Sequence, residues 1–203
     1  MQKTDVETGF DFLVSQVIWP HFKQKGYKKS GNNLRFYDTS SCWGKIVNFQ
    51  KSCFYGKNHI SFTVNIGLYL PEAEKFHCNQ QANEKFQEVS CIVRKRIGRL
   101  TKENKDLWFD LTVQTDKNML YTTVEKHSID LVIPYLNKVN SKDDILKILS
   151  CGYRSEYKAS QIQTLYSNGY KKEAKQQLEE AKNSTRNVSF LETLNEIEQS
   201  FRE

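Results

Sequence analysis

No apolar run in this 203-residue sequence is long enough to cross a membrane: the best stretch, Ile129 to Leu136, is interrupted by Asp130 and Pro134. The opening residues Met1-Gln2-Lys3-Thr4-Asp5 are polar and hold no apolar signal core, so neither targeting nor membrane anchoring is expected, and the cytoplasm is the expected compartment. Cysteines are few. Cys42, Cys53, Cys78, Cys91 and Cys151 are odd in number and scattered, with no C-x-x-C pair, which argues against a disulfide framework and for reduced thiols. His77-Cys78 is the only adjacent pair of potential ligands, and adjacency alone supplies neither helical nor hairpin ligand spacing, so neither a metal nor a cofactor is expected. Also missing are a paired-carboxylate motif, a His-x-x-x-His, a Gly-rich phosphate loop and a nucleophile elbow. No catalytic residue is therefore assigned. His59, His77, His127, Asp106 and Asp110 remain only as groups that distant segments could assemble.

The composition is that of a globular, well-solvated chain: 38% hydrophobic and 27% charged residues, with a mean hydropathy of -0.68. Its formal charge of +6 is unevenly placed. Residues 1–140 hold 20 Lys and Arg against 14 Asp and Glu, whereas 141–203 hold 10 of each. An excess of this kind draws acidic partners or phosphates at long range, although a basic balance is also ordinary in soluble proteins.

Along the chain, Phe10, Leu13, Val14, Val17, Ile18 and Phe22 recur at three- and four-residue spacing, predicting a helix from Thr8 to Lys25, bent or divided at Pro20 and stopped by Gly26. After the Ser30-Gly31-Asn32-Asn33 turn signal, strands are predicted at Leu34 to Asp38, Trp43 to Ser52 and Ile60 to Leu70. In the last of these Ile60, Phe62, Val64, Ile66 and Leu68 alternate with Ser61, Thr63, Asn65, Gly67 and Tyr69, so one face seeks a core and the other is polar. The second and third strands should join as an antiparallel hairpin around Tyr55-Gly56-Lys57-Asn58.

Asn79 to Ser90 is weakly patterned, Cys91 to Leu100 is a basic strand candidate, and Leu107, Phe109, Leu111 and Val113 alternate as a further strand. From Thr122 the period turns helical, with Val124, Ile129, Val132, Ile133 and Leu136 expected to cover the apolar side of the sheet beside the first helix and to leave the other side open. The fold class is thus α+β: an antiparallel sheet with helices on one face (1–140), followed by a small all-α appendage (141–203) rich in Lys, Glu, Gln and Ala. Within that tail Ile162, Leu165, Gly169, Ala174, Leu178 and Ala181 resemble one tetratricopeptide helical hairpin, and a single copy reads as a hairpin docked on its own domain.

Asn48-Phe49-Gln50-Lys51-Ser52, Phe62-Thr63-Val64-Asn65-Ile66-Gly67, Arg96-Ile97-Gly98 and Trp108 follow one another in an order that resembles a bacterial domain-of-unknown-function family, number 4304. Pro20 in the first helix, with Gly26-Tyr27-Lys28-Lys29 after it, looks like the opening of that family. The resemblance covers roughly residues 5–137; its pattern often has two tryptophans where this chain has Trp108-Phe109. It implies an α+β domain of bacterial origin and implies no reaction.

Strand phase places Asn48, Gln50, Thr63, Asn65 and Gly67 on one face, with Arg94, Arg96 and Asp110 joining from neighbouring strands and Trp108 nearby. Amides and guanidinium groups together can read a carboxylate, a phosphate or a backbone amide, and Gly67 would admit a partner close to the backbone. The plain alternative is a polar face turned to water, with Asp110 ion-paired to Arg94 or Arg96. Three functions follow in order. The first is a non-enzymatic module binding a protein or peptide, such as the neutralising component of a bacterial toxin or conflict system. The second is a binder of nucleic acid or nucleotide phosphate through Arg94, Lys95, Arg96, Arg99 and Lys102, beside aromatics such as Trp43, Tyr55, Tyr69 and Trp108. The third is a cryptic hydrolase or transferase on the same face.

Overall fold

A computed structural model describes residues 3–53, 56, 58–78 and 84–202. The chain enters through α1 (Asp5–Phe12), whose start is fixed by a capping box: Thr4 accepts from the Glu7 N–H and the Glu7 carboxylate accepts from the Thr4 N–H. The expected bend at Pro20 takes a specific form. A π-helical segment, Leu13–Ile18, leads into α2 (Trp19–Lys23), and Trp19 N–H bonds to Val14 C=O, five residues back. Proline offers no N–H to the carbonyl four residues earlier and its ring crowds it; the wider π turn just before Pro20 lets the helix continue.

The same device recurs in the second long helix, where α4 (Lys117–His127) passes through π-helical Ser128–Val132 into α5 (Ile133–Asn137), just ahead of Pro134. The bulge shifts helical phase, so Ile129, expected in the core, is instead 39% exposed while Val124, Val132, Ile133 and Leu136 are buried.

Among the described residues six antiparallel strands form one sheet: β1 (Lys28–Ser30), β2 (Asn33–Asp38), β3 (Trp43–Lys51), β4 (His59–Tyr69), β5 (Val93–Arg96) and β6 (Phe109–Thr112). β1 and β2 form a tight hairpin at Gly31, whose φ of 56° suits glycine; the turn and β2 were predicted, β1 was not. β3 and β4 pair antiparallel as expected; Tyr55 and Lys57 of their predicted turn lie outside the described residues. The far edge of β4 is shared, β6 pairing with His59–Phe62 and β5 with Asn65–Leu68. The basic segment predicted as one strand over Cys91 to Leu100 pairs as a strand only at β5. Ile97–Leu100 turns into a 3-10 helix, where Gly98 packs so closely that a Cβ would lie 2.1 Å from the Lys105 carbonyl oxygen. Of the weakly patterned stretch, residues 79–83 lie outside the described residues, and Glu88–Ser90 is a 3-10 turn.

One face of the sheet, carrying Val47, Phe49, Ile60, Phe62, Val64, Ile66 and Leu68, packs against Phe10, Leu13, Ile18 and Phe22 of the first long helix and Val124, Val132 and Leu136 of the second. Each such buried side chain contributes roughly 1.5–3 kcal/mol relative to exposure. Tyr121 Oη donates to Gly9 C=O at 2.9 Å, and His21 pairs with Glu125 at 2.6 Å, tying the helices together.

The opposite face is not wholly open. At one end Phe86 stacks on Tyr69 at 4.1 Å and packs with Ile46 and Cys91 as a second, smaller cluster. The tail consists of α6 (Lys142–Ser150), α7 (Lys158–Ser167), α8 (Lys171–Ser184) and α9 (Val188–Ser200). α7 and α8 form a hairpin at Gly169, φ 88°, and bury Ile162, Leu165, Ala174, Leu178 and Ala181. The tail core is contiguous with the main core. No helix among the described residues is long and apolar enough to cross a membrane.

Candidate functional site

Strand register puts the predicted polar residues on one face. Asn48 lies opposite Asn65, Gln50 opposite Thr63, Arg96 opposite Asn65 and Arg94 opposite Gly67. The amides form a ladder across three strands: Asn65 Nδ2 donates to Gln50 Oε1 at 2.6 Å and to Asn48 Oδ1 at 3.5 Å, and Asn48 Nδ2 donates to Asn33 Oδ1 at 2.8 Å. Asn65 is buried, Asn48 half-buried, and Gln50 exposed with its amide N–H groups unused among the described residues.

Beside this ladder opens a cleft of about 1020 Å³. Gln50 and Asn65 line it together with β5, the loop of Arg99, Asn104 and Asp106, the carboxylate of Glu88, and Arg154 with Glu156 from the α6–α7 loop. Arg94 is held by Glu88 on two atoms, Nε to Oε1 at 2.9 Å and Nη2 to Oε2 at 3.2 Å, and also reaches Glu156. The hydrogen bonds it donates to Glu88 hold the Arg94 guanidinium above its ordinary pKa, against the effect of its own burial. Arg96 donates to Asp106 at 2.6 Å and lies 5.4 Å over the half-buried Trp108 ring, whose Nε1 shares the same Asp106 oxygen at 3.1 Å.

The cleft's three carboxylates are thus all engaged by Arg94 and Arg96. Arg99 reaches only the Asn104 carbonyl oxygen, at 2.5 Å, and Arg154 makes no ion pair among the described residues. The unspent hydrogen-bonding capacity of the site is therefore cationic and amide-like.

Several expectations take a different form. Asp110 pairs not with Arg94 or Arg96 but with His59, at 2.7 Å. β5 and β6 lie end to end along β4, so Asp110 stands beside Ser61 and Arg96 beside Asn65, roughly 13 Å apart at strand rise. The close approach that Gly67 permits is made by the chain itself: a Cβ there would meet Cys91 Sγ at 2.5 Å. Thr63 is buried and donates to Leu107 C=O at 2.7 Å, which fastens the loop before β6. Lys95 turns to the helix side and lies 5.5 Å over Tyr135, so the basic strand is divided between faces. Trp43 is buried in the main core and Tyr69 in the smaller cluster; Tyr55 lies outside the described residues.

Of the isolated groups considered for chemistry, His77 stacks on Tyr157 at 3.9 Å and His127 Nδ1 lies 2.8 Å from Thr123 C=O. No group of three or more His, Cys, Asp or Glu among the described residues could hold a metal ion.

Sequence reasoning missed Glu88, Arg154 and Glu156. A signal for the last two was present: in Tyr153-Arg154-Ser155-Glu156-Tyr157, hydroxyl side chains alternate with charged ones. Tyr153 Oη accepts from Arg94 N–H and donates to Arg94 C=O, both at 2.8 Å, while Ser155 Oγ donates to Ile92 C=O and Tyr157 Oη to Val89 C=O. The alternate residues Arg154 and Glu156 line the cleft.

The family model described as Domain of unknown function (DUF4304) matches residues 18–138, which spans the whole sheet and both long helices from the Pro20 bend onward. No curated protein and no solved structure matches the chain.

Proposed function

For this chain, which belongs to the family of the Domain of unknown function (DUF4304), we propose a binding module whose cleft takes an acidic segment of a protein or peptide partner. The observation that carries this reading is the balance of the cleft. Its carboxylates are spent on Arg94 and Arg96, while the guanidinium groups of Arg99 and Arg154 have no carboxylate partner among the described residues. Carboxylates of an incoming chain would fill that deficit through charge-assisted hydrogen bonds, and the Gln50 amide supplies a donor suited to a peptide carbonyl. Among the described residues Cys42, Cys53, Cys91 and Cys151 carry free thiols, which supports a reducing compartment such as the cytoplasm.

The test is fluorescence anisotropy with a library of short labelled acidic peptides. Wild type is expected to bind some of them saturably, and Arg99→Ala with Arg154→Ala to weaken that binding at least about tenfold, as the loss of two charge-assisted bonds implies. Failure of wild type to bind any acidic sequence, or binding indifferent to the double substitution, would overturn the reading.

A second reading, nucleic acid or nucleotide phosphate, is favoured by one feature: Trp108 beside Arg96 offers a ring on which a base could stack. Three carboxylates in the same cleft work against a phosphate backbone. Under this reading mixed single-stranded oligonucleotides bind at low salt with a steep salt dependence, and Trp108→Ala abolishes it.

A further inference from the structure

Away from the cleft, at the β1–β2 edge, Arg35 is 8% exposed and, among the described residues, contacts only neutral acceptors, Nε donating to Phe86 C=O at 2.5 Å and Nη2 to Gln87 Oε1 at 3.4 Å. A guanidinium has five N–H donors, and the described residues use two of them. No ion pair among the described residues involves it, and the largest influence on its titration is burial, which lowers its pKa. Buried charges are ordinarily paired.

The register deepens the anomaly, because Lys28 stands directly across from Arg35, and like charges in a cross-strand pair destabilise a sheet. Both line a pocket of about 310 Å³ that is also walled by Lys29, Lys85, Ser30 and Tyr37. Among the described residues the one carboxylate in its wall, Glu84, lies 3.7 Å from Lys28, and both of those side chains are exposed.

We propose that this pocket is a binding site for a small phosphomonoester, held by the fork of Arg35 and the ammonium group of Lys28, with the Ser30 hydroxyl within the same wall. A tetrahedral dianion matches the planar guanidinium on two oxygens, and Lys28 adds a point charge. A pocket of this volume lies at the lower end of the range for small-molecule sites, so it admits a phosphate with a small organic group rather than a polymer. The anion supplies the counter-charge that the sheet edge lacks. This site uses no residue of the acidic-peptide cleft and does not rest on that reading.

The experiment titrates the full chain with inorganic phosphate and with glycerol 3-phosphate, against sodium chloride at matched ionic strength, following phosphorus NMR line width and the thermal midpoint. Both phosphates are expected to broaden and to raise the midpoint, with Lys28→Ala weakening binding about tenfold and Arg35→Gln abolishing it. Lys126→Ala, which removes an equal charge from an exposed position on α4, should leave it unchanged. If Arg35→Gln does not fold, Lys28→Ala against Lys126→Ala decides. No broadening beyond the chloride control, equal effects of the two lysine substitutions, or loss in Arg99→Ala with Arg154→Ala but not in Lys28→Ala would each overturn the assignment.

Discussion

Lys45 shows how far a single residue can depart from its pattern. It occupies an inward position of β3 between Trp43 and Val47, is buried, and places Nζ 2.9 Å from Leu136 C=O and 5.3–5.4 Å from the Trp43 and Phe36 rings. It thereby satisfies a carbonyl at the end of α5, where a cation also suits the helix dipole. Burial lowers its pKa from 10.5 to about 8, against a raising influence of Asp144. Below pH 8 both native and unfolded chains carry the proton, and the cost of burying charge is present in full. Between pH 8 and 10.5 the native chain loses the proton while the unfolded chain keeps it, so stability rises with pH. In urea denaturation, the stability of Lys45→Met relative to wild type should therefore shift in favour of wild type by about 3 kcal/mol across that interval. A pH-independent difference would place the ammonium in a well-solvated setting.

Legibility at this scale follows the same logic. The polar row Asn48, Gln50, Thr63 and Asn65 could be read because strict two-residue alternation in β4 fixes its phase. The partners of Arg94 and Arg96 are harder to read: Glu88 and Asp106 come from a turn and a loop with no periodicity to state which way a side chain points, and for Glu156 the one cue is the local alternation of hydroxyl and charged side chains over 153–157.

Among the elements, the two long helices and β5 carry the lesson. A proline in a helical pattern predicts a break, yet at Pro20 and Pro134 the chain widens one turn and continues, preserving a helix long enough to cover the sheet. β5 has β4 on one side, and its other side is closed by a side chain: the Tyr153 hydroxyl takes both the N–H and the C=O of Arg94. Tyr153→Phe keeps the ring and removes both bonds. It should cost about 1–3 kcal/mol in chemical denaturation and accelerate hydrogen exchange at the Arg94 amide, with exchange in the centre of β3 unaffected by any local opening. An unchanged Arg94 amide would mean that water replaces the hydroxyl without loss.

For the whole molecule, the family match ends at residue 138, close to where composition changes, and the two facts together suggest a severable tail. The packing argues otherwise. The α6–α7 loop closes the edge of β5 and gives the cleft Arg154 and Glu156. α3 (Pro71–Cys78) is held by the tail through Lys142–Glu72 at 2.6 Å, Asn168 donating to Glu72 at 3.3 Å, and His77 stacked on Tyr157. Gln161, wholly buried in α7, donates to the carbonyls of Leu149 and Tyr153 and gives the loop between them its shape. Removing 141–203 would expose the apolar faces these helices cover and leave backbone groups of β5 and Ile92 without partners. A chain of residues 1–140 is therefore expected to lose its near-ultraviolet circular dichroism, to bind an apolar dye, and to unfold without a cooperative transition. Should it instead melt cooperatively with native-like near-ultraviolet signal, the sheet and its two long helices would constitute a self-sufficient domain. The tail's part in the molecule would then be confined to shaping one wall of the cleft.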